Sequence, residues 1–305
     1  PRQLLAGIEK ADAIGNLLPQ RMLGRTGERV TMLGLGGWHV GKLPPAKAQA
    51  LIEAALAGGI RFFDTAESYQ DGGSESLYGE FLIPRYRDDI FLMTKTTARD
   101  AQTARQHLEG SLRRLGTDVL DLWQVHSLVD AEDTDGRLSG GVLEEMLKQK
   151  ASGRVRHIGF TGHRRPSALS RMLATAEELE TCQMPVNVLD PSYESFIDGV
   201  LPGLVERKIG VLAMKTLANG RFMGVGLPDD RGEDVVPGRI SLQQALAFAW
   251  SLPISVLIYG PDNVKQLEQT LHVARTFDSL DVDARQALVA HVADLAGNRV
   301  EYYKA

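Results

Sequence analysis

Short apolar runs rich in branched and aromatic residues recur along the chain, separated by stretches whose apolar positions follow helical spacing. They fall at residues 33–36, 60–63, 90–93, 119–125, 155–160, 185–188, 210–214 and 254–258. Between them the pattern predicts helices over 46–57, 73–81 and 103–115, and a further helix closing at Gln149-Lys150-Ala151-Ser152 with Gly153 as a left-handed cap. Strand followed by helix, repeated, predicts a parallel α/β sheet. Ahead of the first run, residues 21–33 around Arg25-Thr26-Gly27-Glu28 predict a β-hairpin. Residues 1–19, with Leu4, Leu5, Ile8, Ala11 and Ile14 near helical spacing, predict an extra amphipathic helix that packs or caps. Residues 217–238, rich in Gly, Pro and Asp, predict a long loop that serves as a flap over cofactor or substrate.

Composition narrows the classes. A chain of 305 residues fits one α/β barrel domain spanning 1–305, with 1–19 as an N-terminal extension; about 250 residues is typical of that architecture. Apolar content of 43% is enough for a full core. A net charge of −5 gives no basic footprint for nucleic acid. The single cysteine, Cys182, excludes an intramolecular disulfide and any cysteine-built metal site, and reads as a small core residue. No apolar run approaches the length of a membrane span. The expectation is a cytoplasmic protein, with Pro1 as first residue leaving room for a removed leader.

Candidate chemistry sits at strand ends. Asp64, Lys95 and His126 follow the second, third and fourth runs, and Tyr69 lies five residues past Asp64. In a closed parallel barrel such positions converge on one mouth. A free phenol, with a pKa of about 10, is a reluctant proton donor at neutral pH. A lysine ammonium beside it favours the phenolate and lowers that value, while a carboxylate keeps the lysine charged. Asp64, Lys95 and Tyr69 therefore read as a relay that makes Tyr69 a general acid. A neutral His126 would hydrogen-bond a carbonyl oxygen as charge develops there. No side chain supplies a hydride, so this reading calls for a reduced nicotinamide.

The chain resembles the aldo-keto reductase family. The resemblance is carried by Leu33-Gly34-Leu35-Gly36-Gly37-Trp38, Phe63-Asp64-Thr65-Ala66-Glu67-Ser68-Tyr69, Thr94-Lys95-Thr96, Asp121-Leu122-Trp123-Gln124-Val125-His126, Ile158-Gly159-Phe160-Thr161-Gly162 and Ile258-Tyr259-Gly260, in family order. It covers roughly residues 20 to 275 and implies an eight-stranded (β/α)8 barrel, a TIM barrel, with the hairpin at its bottom. It also implies NADPH, or less often NADH, at the C-terminal mouth and a small-molecule carbonyl substrate. Oligomeric state is not implied.

The implied cofactor contacts are Gly37, Trp38 and Asp64 near the first strands, and Thr161, Gly162, His163 and Asn187 around the nicotinamide. Met214, Lys215, Leu217 and Gly220 follow strand seven; Gly260, Asn263, Lys265 and Gln269 follow strand eight. The family usually carries Ser-Asn after strand five, where this chain has Thr161-Gly162-His163, so His163 or Asn187 is expected to replace the missing amide. Met214 stands where an aromatic ring usually stacks on the nicotinamide. After strand eight, Gly260 and Gln266 replace the lysine and arginine that grip a 2′-phosphate, which opens NADH as an alternative. Two further readings remain: a cofactor-bound sensing or regulatory subunit with little turnover, and an aldolase forming a Schiff base on Lys95.

Overall fold

The computed structural model describes residues 11–223 and 239–305. Its centre is a closed barrel of eight parallel strands, β3 (Leu33–Gly36), β4 (Phe62–Asp64), β5 (Phe91–Thr96), β6 (Leu120–Leu128), β7 (Val155–Gly162), β8 (Thr181–Pro185), β9 (Gly210–Met214) and β10 (Val256–Tyr259), with β10 pairing β3 to close the ring. Helices that follow the strands form the outer layer, among them Pro45–Ala57, Gly73–Phe81, Ala101–Leu115 and Val264–Thr276. Burial on both faces explains why these strands read as near-continuous apolar runs.

The hairpin pairs β1 (Gln20–Met22) with β2 (Arg29–Thr31) in antiparallel register. Leu23 and Val30 pack on Phe62, Met93, Leu122, Leu212 and Val256, one buried cluster that fills the barrel interior and seals the end opposite the chemistry. Gly34 makes room for this filling: a Cβ there would stand 2.8 Å from the Phe62 ring and 3.0 Å from Ile258. Cys182 is fully buried on β8.

Two expected elements differ. Residues 1–10 and 224–238 lie outside the described residues, but 11–19 do not form the expected helix. Asp12 accepts from the backbone N–H groups of Ile14 and Gly15, and Ala11 bridges Asn16, so a side chain competes with helical bonding and closes a turn. Asp12 also receives both Arg61 Nε at 2.6 Å and Nη2 at 2.8 Å, which pins this extension to the barrel. The sixth barrel strand occupies Thr181–Pro185 rather than 185–188. Pro185 lacks an N–H for the ladder and stands as its last residue, not its first.

Candidate active site

Asp64 ends β4, and Lys95 projects from β5 beside it. Lys95 Nζ lies 2.7 Å from Asp64 Oδ2, 2.8 Å from the Thr65 carbonyl oxygen and 3.2 Å from Tyr69 Oη. An ammonium has three N–H groups, and these three acceptors use all of them. Because Tyr69 accepts from Lys95, its own O–H remains free to donate. Asp64 and Lys95 are almost wholly buried, and the Tyr69 ring is half-buried.

Burial sets the titration of this group. It pushes the Tyr69 phenol above its ordinary value, outweighing the nearby Lys95 ammonium, which pulls it down. The net direction is opposite to the lowering expected from sequence, because a buried phenolate loses more hydration than one cation restores. For Lys95, burial works to lower the pKa, but Asp64 and Tyr69 together raise it above the ordinary lysine range. His126 lies within β6 rather than past its end, with its ring edge-on to Tyr69 at 5.7 Å between centroids. Burial first, then Lys95, His163, Arg137 and Lys215, hold its pKa well below 6.5, so the ring is neutral. Its Nδ1 is buried with no partner among the described residues, which leaves Nε2 as the nitrogen open to the mouth.

Asp64, Tyr69 and His126 form the floor of a cavity of about 780 Å³ at the C-terminal end of the strands, a size in the range of small-molecule sites. Of the sequence-expected residues, Trp38, Asp64, Tyr69, His126, His163, Met214, Lys215, Leu217, Gly220, Gly260 and Gln269 line it. Trp38 stands edge-on to Tyr69 at 5.3 Å, and Lys42 Nζ lies 4.8 Å over the Trp38 ring. Lys95 lies beneath the floor, behind Asp64 and Tyr69.

Other expected residues are not on the cavity wall. Gly37 opens the short helix Gly37–Val40 and packs on Asp64 and Ser74. Thr161 and Gly162 are buried in β7, Gly162 against Leu128 and Leu169. Asn263 caps the helix Val264–Thr276 by accepting from Gln266 N–H, and Lys265 lies on that helix away from the cavity. Asn187 is fully buried behind the wall, where its Nδ2 donates to Tyr303 Oη at 2.7 Å.

The residue that sequence reasoning missed is Gln183. It lies mid-way along β8, lines the cavity and donates Nε2 to Asp64 Oδ2 at 3.2 Å. Its Oε1 is buried without a partner among the described residues. His39 also lines the cavity, 4.0 Å from Asp262. Thr216, on the same wall, also has a buried Oγ1 without a partner among the described residues. Beside it, Lys215 is half-buried, has no carboxylate partner among the described residues and holds a left-handed φ of +59°.

A dinucleotide fits what these residues offer. Among the described residues, Gln183 Oε1 is an acceptor left for a carboxamide N–H, and Lys215 and Thr216 offer a cation without a carboxylate partner and a hydroxyl without a hydrogen bond to phosphate oxygens.

The aldo/keto reductase family model matches residues 32–237. The chain therefore belongs to the aldo/keto reductase family, oxidoreductases that act on carbonyl compounds and generally use NAD(P)H. It is 30% identical to the uncharacterized oxidoreductase YrpG of Bacillus subtilis, over 82% of this chain and 89% of that protein. It is 28% identical to a 6-dehydroglucose reductase of Agrobacterium fabrum, over 79% of this chain and 87% of that one. The holo form of aldo-keto reductase AKR11C1 from Bacillus halodurans superposes with a TM-score of 0.77 at 23% identity, covering 92% of this chain and 97% of that one, and it supports the fold.

Proposed function

We propose that the protein reduces an aldehyde or ketone to an alcohol, using NADPH or NADH, with Tyr69 as the proton donor. The observation that carries this reading is the Lys95 ammonium, bonded to both Asp64 and Tyr69 beneath one cavity. A bound reduced nicotinamide would supply the hydride. Gln183, Met214, Lys215 and Thr216 would hold it, and His163 replaces the amide that Gly162 lacks.

The chain's own residues handle the oxygen. His126 Nε2–H and Tyr69 O–H converge on the carbonyl oxygen and orient it. As that oxygen becomes an alkoxide, it turns far more basic than a phenolate, so a phenol with a raised pKa still gives up its proton. The proton passes from Tyr69 Oη to the substrate oxygen. Lys95, held charged by Asp64, stabilises the phenolate left behind, and solvent then reprotonates it.

The Schiff-base alternative needs a neutral amine. Lys95 has its pKa raised and all three donors committed, which opposes nucleophilic use. The intact proton relay also favours turnover over a purely sensing role. The direct test is titration with NADPH and NADH, followed by cofactor consumption with aldehydes, ketones and sugar carbonyls. Binding without consumption of either nucleotide across the panel would favour the sensing reading.

A further inference from the structure

Residues 301–304 turn back against the barrel mouth, and their anchoring goes beyond what packing requires. Lys304 Nζ is fully buried and reaches Asp190 Oδ1 at 2.8 Å, Glu301 Oε1 at 2.8 Å and the Tyr193 carbonyl at 2.6 Å. Asp190 in turn accepts from Ser195 Oγ and from the N–H groups of Phe196 and Ile197. Tyr303 is the residue so held. Its hydroxyl accepts from Asn187 and donates to Glu301, and its main-chain oxygen lies 3.0 Å from His163 Nδ1. Lys215 Nζ stands 5.6 Å over its ring. Two residues of the cavity wall, His163 and Lys215, thus rest on Tyr303.

The His163 contact fixes a chemical role. A carbonyl oxygen only accepts, so Nδ1 must carry the proton, and the neutral ring then presents Nε2 as an acceptor. Burial foremost, with Lys215 and Arg164, keeps the ring below its ordinary pKa although the Tyr303 bond works the other way. The wall therefore carries His163, whose Nε2 is its remaining ring acceptor, and Gln183, whose Oε1 is buried without a partner among the described residues. A primary amide, with two N–H groups, has a donor for each.

We propose that the 301–304 turn, clamped by Lys304, is a positioning element that holds His163 as hydrogen-bond acceptor for the carboxamide of the nicotinamide. This rests on the cofactor reading above. The clamp acts at a distance: Lys304 touches neither cofactor nor substrate and works through Tyr303 and His163.

The test compares binding of the natural reduced dinucleotide with its 3-acetylpyridine analogue, which keeps the carbonyl but lacks the amide N–H groups. Quenching of protein fluorescence reports both affinities. His163→Ala is expected to shrink the preference for the natural cofactor by about tenfold, the scale of one hydrogen bond. Lys304→Met should shrink it by a similar factor, and the double variant by less than about twofold more, because both act on one contact. Equal weakening of both dinucleotides by Lys304→Met, or multiplying effects in the double variant, would overturn the proposal. Should Lys304→Met not fold, ring-nitrogen NMR of unsubstituted protein decides: a neutral His163 protonated at Nδ1 supports the clamp, and one protonated at Nε2 overturns it. Failure of the unsubstituted protein to bind any nicotinamide dinucleotide would instead sink the cofactor reading, while the tautomer measurement still tests the clamp.

Discussion

Gln183 reaches across the barrel mouth to Asp64, placing its Nε2 3.2 Å from the carboxylate oxygen that also holds Lys95. One side chain thereby links the Asp64–Lys95 ion pair to the cavity wall. Gln183→Leu keeps the volume but removes both the bond to Asp64 and the free acceptor. Cofactor affinity is expected to fall by about tenfold, with the folded structure retained by circular dichroism. An unchanged affinity would remove Gln183 from the cofactor wall.

Asp64→Asn should move the basic limb of the pH profile. Asp64 raises the Lys95 pKa against the pull of burial. Without that carboxylate the lysine loses its proton at lower pH, so kcat/KM should begin to fall at lower pH than in the unsubstituted enzyme. A profile with the same basic limb would take Asp64 out of the relay.

His126 has a consequence for stability as well as rate. Its folded pKa lies well below 6.5, the value it regains on unfolding. Below that pH the unfolded chain binds a proton that the folded chain does not, so this group lowers stability as pH falls, by up to about 1.4 kcal/mol per unit. His126→Gln should therefore flatten the loss of Tm between roughly pH 6.5 and 5. Parallel Tm curves for the two proteins would show that His126 is not held neutral.

Cys182 should be inert in the native state. It is fully buried, and burial pushes its thiol well above the ordinary range. A thiol reagent is expected to label it only in denaturant. Rapid stoichiometric labelling of the native protein would contradict its burial.

Much of this was legible in the sequence because the barrel's strands are buried on both faces. Residues 33–36 and 210–214 read as strands and fold as β3 and β9 over those same spans. That Asp64, Tyr69, Lys95 and His126 meet at one mouth was legible because Asp64, Lys95 and His126 lie at or near strand ends and Tyr69 follows in the loop after β4. The sixth strand was not. Thr181 and Gln183 interrupt its apolar pattern, since both are polar groups turned to specific partners: Thr181 accepts from Gln124, and Gln183 donates to Asp64. Reading the strand four residues late put Asn187 on it, where the structure has Gln183. The Tyr303 contact was also hidden, because it joins residues 140 positions apart and no local pattern encodes such a meeting. The direction of the Tyr69 shift needed the degree of burial, which residue type alone does not give.

In the proposed reduction Tyr69 gives the proton to the substrate oxygen, and Tyr69→Phe isolates that step because it removes one oxygen and leaves the ring. Single-turnover reduction of an accepted aldehyde, measured with cofactor affinity in the same variant, should show the chemical step slowed by about 10²–10⁴-fold and the cofactor Kd within about twofold, since only one hydroxyl is lost. A chemical step of unchanged rate in Tyr69→Phe would contradict the account.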